Sequence, residues 1–374
     1  MPWRDTFNDV VGTGLFGGAT FGDWLRFLSA NRFVVHPRFL PRALGITGVS
    51  LSNSVSRWIE EWRYGRAYRE QRIKEPLFIL GHWRSGTTHL HNLLSRDDRL
   101  GFPNLYQVMC PQTFLISESL GSRIMRMIAP ETRGIDNVAV GPEVPNEDEF
   151  AIAAMTSFSP YTAMAFSRNQ AYYDRFLTLR DASPAEVAQW KEAVVTFLQK
   201  VSWKSQRPLI LKSPTHTCRI RLLLELFPDA RFIHIRRHPF EVFRSMKKML
   251  AVALRFWQLQ KGDNVDWEER AIRQYREMYD AYFEERSLIP EGRLHEMSYE
   301  DLDVDPIGQV RAVYHSLQLP DFDVVEPTLR QYVDSLSGYQ KNPRSELPLE
   351  IRRRLADEWR FCFDAWGYSD TTAA

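Results

Sequence analysis

Cysteine is scarce in this chain: Cys110, Cys218 and Cys362 are the only three in 374 residues, odd in number and far apart. That excludes a disulfide framework and a cysteine-based zinc site, and it fits a reducing cytoplasm. Long apolar runs are missing as well, since nothing approaches the roughly 18 apolar residues of a membrane span. Charge of one sign is also lacking. A net charge of +1 leaves no strongly basic domain, so no nucleic-acid partner is expected. Residues 1–30 lack a secretory layout, because Asp5, Asp9 and Asp23 interrupt them. Neither an internal repeat nor a low-complexity tract occurs, which excludes solenoids and linker-like segments.

What is there describes an ordinary globular chain, 44% apolar, 25% charged and 13% aromatic, with ample material for a core. Its length suits about two domains or one larger α/β unit. Residues 10–28 are apolar, glycine-rich and aromatic. They read either as a terminal helix folded over the main domain or as a peripheral contact with a membrane interface.

The most informative stretch runs from Leu77 to Leu90. A short apolar strand, Leu77–Leu80, passes through Gly81-His82-Trp83-Arg84-Ser85-Gly86-Thr87-Thr88 into a helix-compatible run. That is the layout of a phosphate-binding loop. Gly81 and Gly86 keep the spacing of a nucleoside-triphosphatase loop, but Thr87 stands where its lysine should be, so triphosphate hydrolysis loses its main cation. What remains is a helix N-terminus with orphan amides, three hydroxyls (Ser85, Thr87, Thr88) and a cation moved back to Arg84, an array suited to a smaller anion.

Further strands are expected at 208–212, 231–237 and 293–298, and helices at 51–74, 184–203, 266–286 and 306–318, with another starting at Pro239. Strands alternating with helices predict a P-loop-containing parallel β-sheet, an α/β fold, with its polar clusters beyond the strands' carboxyl ends. Residues 1–75 are expected to form a helical extension, 76–322 the α/β core, and 323–374 a helical segment with a basic loop.

Two separated motifs resemble the sulfotransferase superfamily, which uses 3′-phosphoadenosine 5′-phosphosulfate as sulfuryl donor. Arg84-Ser85-Gly86-Thr87-Thr88 is similar to that family's 5′-phosphosulfate loop. Arg237-His238-Pro239-Phe240-Glu241-Val242-Phe243-Arg244-Ser245 is similar to its 3′-phosphate signature, an arginine at a strand end and a serine eight residues later. Tyr299-Glu300-Asp301-Leu302 resembles the segment whose tyrosine sits near adenine, and Lys212-Ser213-Pro214-Thr215-His216 resembles a conserved lysine segment. The resemblance implies donor contacts from Arg84 to Thr88, Arg237, Ser245 and Tyr299, and a basic clamp from Lys341 and Arg344. His89 stands where the cytosolic branch has an adenine-stacking tryptophan. The implied product is 3′-phosphoadenosine 5′-phosphate, and no metal is required.

Sulfuryl transfer needs charge neutralisation and a general base. Arg84 and Lys212 are the candidates for the first. His216 is the first choice for the base, because imidazole titrates near neutrality and His216 follows Lys212 at a strand exit. Glu147 and Glu149, from the acidic run 143–149, are its rivals. Aromatic and apolar residues between Phe150 and Phe176 point to a small apolar or lipid-like acceptor. The competing readings are a P-loop kinase or hydrolase, which Thr87 disfavours, and a non-catalytic nucleotide-binding or membrane-associated scaffold. The expected location is cytoplasmic, at a membrane surface if residues 10–28 lie in the interface.

Overall fold

The computed structural model describes residues 14–128, 141–262, 265–336 and 346–370. Two helices lead in, α1 (Phe21–Ala30) and α2 (Leu40–Arg69). α2 starts eleven residues before the sequence suggests and ends five before, at Arg69 rather than Lys74. Pro41 sits at its first turn, where a missing N–H costs nothing, and packing carries the helix through Gly45 and Gly48 against their low propensity. Most described apolar residues of the 10–28 stretch face inward: Leu15, Phe16, Ala19, Trp24 and Phe27 are buried in the main core, while Leu25 is exposed. That packing is the one expected of the folded-over helix, with residues 10–13 outside the described residues.

Strand β1 (Leu77–Leu80) follows, then α3 (Thr87–Leu94), α4 (Glu149–Thr156) and α5 (Pro184–Ser205). Next come β2 (Ile210–Lys212), α6 (Ile220–Leu226), β3 (Arg231–Arg236), α7 (Pro239–Trp257), α8 (Trp267–Glu285) and β4 (Leu294–Ser298). α9 (Pro306–Ser316), α10 (Phe322–Ser335), α11 (Leu349–Glu358) and α12 (Arg360–Trp366) close the chain. α5 is capped as its sequence asks, with a reciprocal Ser183/Glu186 capping box and Pro184 at the first turn.

The four strands form one parallel sheet in the order β2-β1-β3-β4. Both faces are covered, as parallel sheets require. Phe78, Leu80, Leu211 and Phe232 point into a large aromatic-rich core, and Leu77, Ile79, Ile210, Ile233 and Met297 into a second core shared with α3, α9 and α10. The strand order also fixes where a ligand can sit. The chain leaves β1 towards β2 on one side and leaves β3 towards β4 on the other, so a crevice opens between the carboxyl ends of β1 and β3.

Candidate active site

Three chain segments meet at that crevice. The first is the turn after β1. Gly81 has φ +148°, and a side chain there would press on the Ile235 carbonyl at 2.6 Å, while its N–H donates to Thr217 Oγ1 at 2.7 Å. Arg84 and Gly86 both adopt positive φ, +71° and +100°. At Gly86 a Cβ would also run into the Tyr299 ring, so only glycine serves. Ser85 Oγ donates back to the His82 carbonyl at 2.8 Å and locks the turn. Among the described residues no side chain caps the N-terminus of α3, which leaves its first amides directed at the crevice. Thr87 is buried, while Thr88 and His89 are half-buried on the first turn.

The second segment is the exit of β3. Arg237 lies over the Tyr299 ring, 4.2 Å from guanidinium carbon to ring centre, and donates to the Arg84 carbonyl at 3.1 Å. Its Nε is buried with no hydrogen-bond partner among the described residues. Two turns into α7, Ser245 Oγ accepts from Arg84 Nε at 2.7 Å. Arg84, Arg237, Ser245 and Tyr299, which lie up to 215 residues apart in sequence, thus form one contiguous patch. Lys341 and Arg344 lie outside the described residues.

The third segment is the exit of β2, clasped to the acidic run. Lys212 Nζ donates to Glu147 Oε1 at 2.7 Å and to Thr88 Oγ1 at 3.4 Å. Asp148 takes His216 Nε2 at 2.7 Å and the Ser213 hydroxyl at 3.0 Å. Burial pushes the Asp148 carboxyl up, but the His216 charge and these hydrogen bonds outweigh it and hold the carboxyl below its ordinary value. Glu149 accepts from Arg219 at 2.8 Å and Thr215 at 2.8 Å. Arg219 also donates to the Leu177 carbonyl at 2.9 Å and to the Phe176 carbonyl.

These three neighbouring acids therefore differ in surroundings. The Glu149 side chain is 1% exposed and fully paired, and the His216 side chain is likewise 1% exposed, edge-on to Phe78. Glu147 keeps 15% of its side chain open to the crevice. Its second oxygen accepts from Tyr161, whose own oxygen accepts from Trp83 Nε1 at 2.7 Å. Burial first, and then the Glu147 charge, push the Tyr161 hydroxyl well above its ordinary range, so it stays a donor. Phe150 and Trp257 pack on Tyr161 at 5.1 and 5.7 Å between ring centres. The arrangement offers an anion cradle, a lysine and a half-open carboxylate within one crevice, walled on one side by aromatic rings. Neither Trp83 nor Tyr161 stands out singly in the sequence: the signal for the first is a tryptophan inside a glycine turn, and for the second only the aromatic stretch between Phe150 and Phe176.

The loop region also carries buried imidazoles. Burial lowers His82 to about 4, partly offset by its hydrogen bond to the Trp83 carbonyl, and lowers His91 to about 3 with help from the Lys212 charge. A folded pKa below the unfolded value of about 6.5 means the unfolded chain binds more protons at lower pH. Stability is thus intact above that value and falls as pH drops below it towards 4, by up to about 1.4 kcal/mol per pH unit for each histidine. Melting temperature should fall steadily between pH 6.5 and 4.5, and His91→Phe should flatten the slope; a slope equal to wild type would contradict the neutral, buried state.

Against known proteins, a sequence model described as "Sulfotransferase family" matches residues 76–323. The omega-hydroxy-beta-dihydromenaquinone-9 sulfotransferase Stf3 of Mycobacterium bovis is 35% identical over 359 residues, covering 96% of this chain and 92% of its own. The Mycobacterium tuberculosis protein of the same name matches equally. Among solved structures, sulfotransferase STF9 from Mycobacterium avium superposes with a TM-score of 0.69 at 18% identity, covering 93% of this chain and 92% of that one. STF1 from Mycobacterium tuberculosis gives 0.65 at 17% identity, with 91% of each chain covered. These two share the fold, a parallel sheet flanked by helices. Together with the two glycine-loop and strand-end motifs gathered at one crevice, the family match and the 35% identity over nearly the whole length establish that the chain belongs to the sulfotransferase family.

Proposed function

We propose that this sulfotransferase takes its sulfuryl group from 3′-phosphoadenosine 5′-phosphosulfate and transfers it to a hydroxyl of an apolar, lipid-like acceptor. The observation that carries the donor reading is the paired anion site: a helix N-terminus after Gly86 with no side-chain cap, and beside it a buried Arg237 Nε with no hydrogen-bond partner, among the described residues. Residues 84–88 would hold the 5′ side, Arg237 and Ser245 the 3′-phosphate, and Tyr299 and His89 the neighbourhood of the base. The bound donor supplies an activated sulfuryl group in anhydride linkage to phosphate.

The chain's own groups then divide the work. Lys212, held by Glu147 and Thr88, brings positive charge to the crevice, and Arg84 brings a second. Glu147 is the proposed general base, displacing His216 from first place. Its carboxylate is oriented at one oxygen by Lys212 and at the other by Tyr161, and it alone of the candidates borders open space. His216 would have to break its Asp148 contact to exchange a proton, which suits it to positioning the acidic run. Glu149 holds Arg219 and so the fold. The acceptor reading is supported by the aromatic wall of Trp83, Phe150, Tyr161 and Trp257 next to Glu147, and by the relative named for omega-hydroxy-beta-dihydromenaquinone-9.

Calorimetric titration tests the donor. 3′-Phosphoadenosine 5′-phosphate should bind more tightly than 5′-AMP or ATP with magnesium, and Arg237→Ala should erase about 10- to 100-fold of that preference, the worth of hydrogen bonds to a charged group. Preference for ATP, or indifference to the 3′-phosphate, would overturn the reading.

A further inference from the structure

A directed line of hydrogen bonds joins the loop after β1 to Glu147. Trp83, inside that loop, donates from its indole Nε1 to Tyr161 Oη at 2.7 Å, and Tyr161 Oη donates in turn to Glu147 Oε2. Lys212 Nζ donates to the other oxygen of Glu147 at 2.7 Å. Chemistry allows only this direction. An indole N–H donates and never accepts, so Tyr161 must receive it, and the one phenolic proton is left for the carboxylate. Burial first, and then the Glu147 charge, hold the Tyr161 hydroxyl well above its ordinary range, so that proton stays in place. Donation into the Tyr161 oxygen polarises its own O–H, so the bond that reaches Glu147 is strengthened by the one before it.

The loop end of the line is pinned on both sides of Trp83. The Trp83 carbonyl accepts from His82 Nδ1 at 2.9 Å, and the His82 ring stands edge-on to the indole with 5.1 Å between ring centres. Ser85 Oγ donates to the His82 carbonyl, and Arg237 to the Arg84 carbonyl. The groups that shape the anion cradle therefore also hold the indole. Trp83 and Tyr161 are only 6% and 2% exposed, so water competes little for their bonds. The Tyr161 ring packs on Phe150 and Trp257, a task that a phenylalanine would perform equally. Its hydroxyl is left with the carboxylate as its purpose.

We infer that Trp83 and Tyr161 are positioning residues, through which the donor loop aims the Glu147 carboxylate at the acceptor hydroxyl. This rests on the reading of Glu147 as the general base. What it adds is a link between the two halves of the site. The turn proposed to hold the 5′ side of the donor carries, one residue before Arg84, the indole that sets the direction of the base. A carboxylate held by one flexible lysine can still swing about its side-chain bonds. A second donor on a rigid ring, itself fixed by a third group, leaves one orientation, and orientation supplies much of the rate of a transfer between bound groups. Donor loop and base thereby share one element, so a shift of the loop around the donor is felt at the carboxylate.

Heteronuclear NMR of the indole N–H groups, beside single-turnover transfer from labelled 3′-phosphoadenosine 5′-phosphosulfate to detergent-dispersed dodecanol, tests it. The Trp83 resonance is the one missing from Trp83→Phe. It should shift when 3′-phosphoadenosine 5′-phosphate is added, in Tyr161→Phe, and in Glu147→Gln two hydrogen bonds away. The transfer rate should fall about 10- to 100-fold in Tyr161→Phe, the worth of a hydrogen bond to a charged group, and about 2- to 10-fold in Trp83→Phe, the worth of a neutral one. In the Glu147→Gln background Trp83→Phe should cost nothing further, an outcome that a merely structural role does not give. Tyr161→Phe, which removes a single oxygen, repeats the rate test if Trp83→Phe folds poorly. A Trp83 resonance blind to Glu147→Gln, or costs that multiply in the double variant, would overturn the inference and leave the base in place. A near wild-type rate for Glu147→Gln would instead remove the base and the inference with it.

Discussion

Glu147→Gln is expected to lower turnover by about 10²- to 10⁴-fold, the range a positioned general base contributes. The change keeps the size of the side chain and an oxygen for Lys212, so binding of 3′-phosphoadenosine 5′-phosphate and the melting temperature should hold. His216→Asn should cost less in turnover and more in stability, because His216 is sealed beneath the site against Asp148 and Phe78. Single-turnover kinetics on both variants, with saturating donor, separates the roles. If Glu147→Gln turns over near the wild-type rate while His216→Asn is dead and folded, the base is His216 and the carboxylate only orients Lys212.

Glu149→Ala, two residues away, should behave in the opposite way and cost about 3–5 kcal/mol of folding stability, since it leaves the Arg219 guanidinium buried without a counter-charge. Arg219 has no exposed side-chain surface, and its remaining partners are two carbonyls and the face of Trp190, none of which neutralises it. Denaturant midpoints measure the effect. The double variant Glu149→Leu/Arg219→Met should recover much of the loss, because removing both charges removes the uncompensated one. A loss below about 1 kcal/mol for Glu149→Ala would mean that water reaches the guanidinium and that the pair is no structural pin.

The contrast between these adjacent carboxylates shows what sequence could and could not tell. The sheet was readable because its strands are short and the first three carry apolar residues and run into glycine or proline: β1 falls at Leu77–Leu80 as expected, and the other three begin or end within two residues of expectation. Arg84, Arg237, Ser245 and Tyr299 were readable as a group because strand ends of a parallel sheet share one edge, and they do meet. The acidic run was visible as four acids in seven residues, but which one borders the crevice depends on partners 60 to 70 residues away. Local pattern carries no information about such partners. His216 is suitable by its imidazole chemistry, but its burial against Asp148 and Phe78 is a tertiary property that no local pattern shows. The start of α2 was missed for a similar reason, since glycines at 45 and 48 argue against a helix that only packing sustains.

Arg219 has one more consequence. A single guanidinium holds Glu149 at the start of a segment and the carbonyls of Phe176 and Leu177 at its end, so the segment 149–177, bearing Phe150 and Tyr161, forms a closed loop buckled at one point. The buckle and the Lys212 contact are made outside that loop's interior, and within it Tyr161 alone reaches the carboxylate at 147. With Tyr161 kept, the rest of the loop is a cassette on which selection for a new acceptor can act, and exchanging it between relatives is a route to altered preference with the proposed transfer geometry preserved.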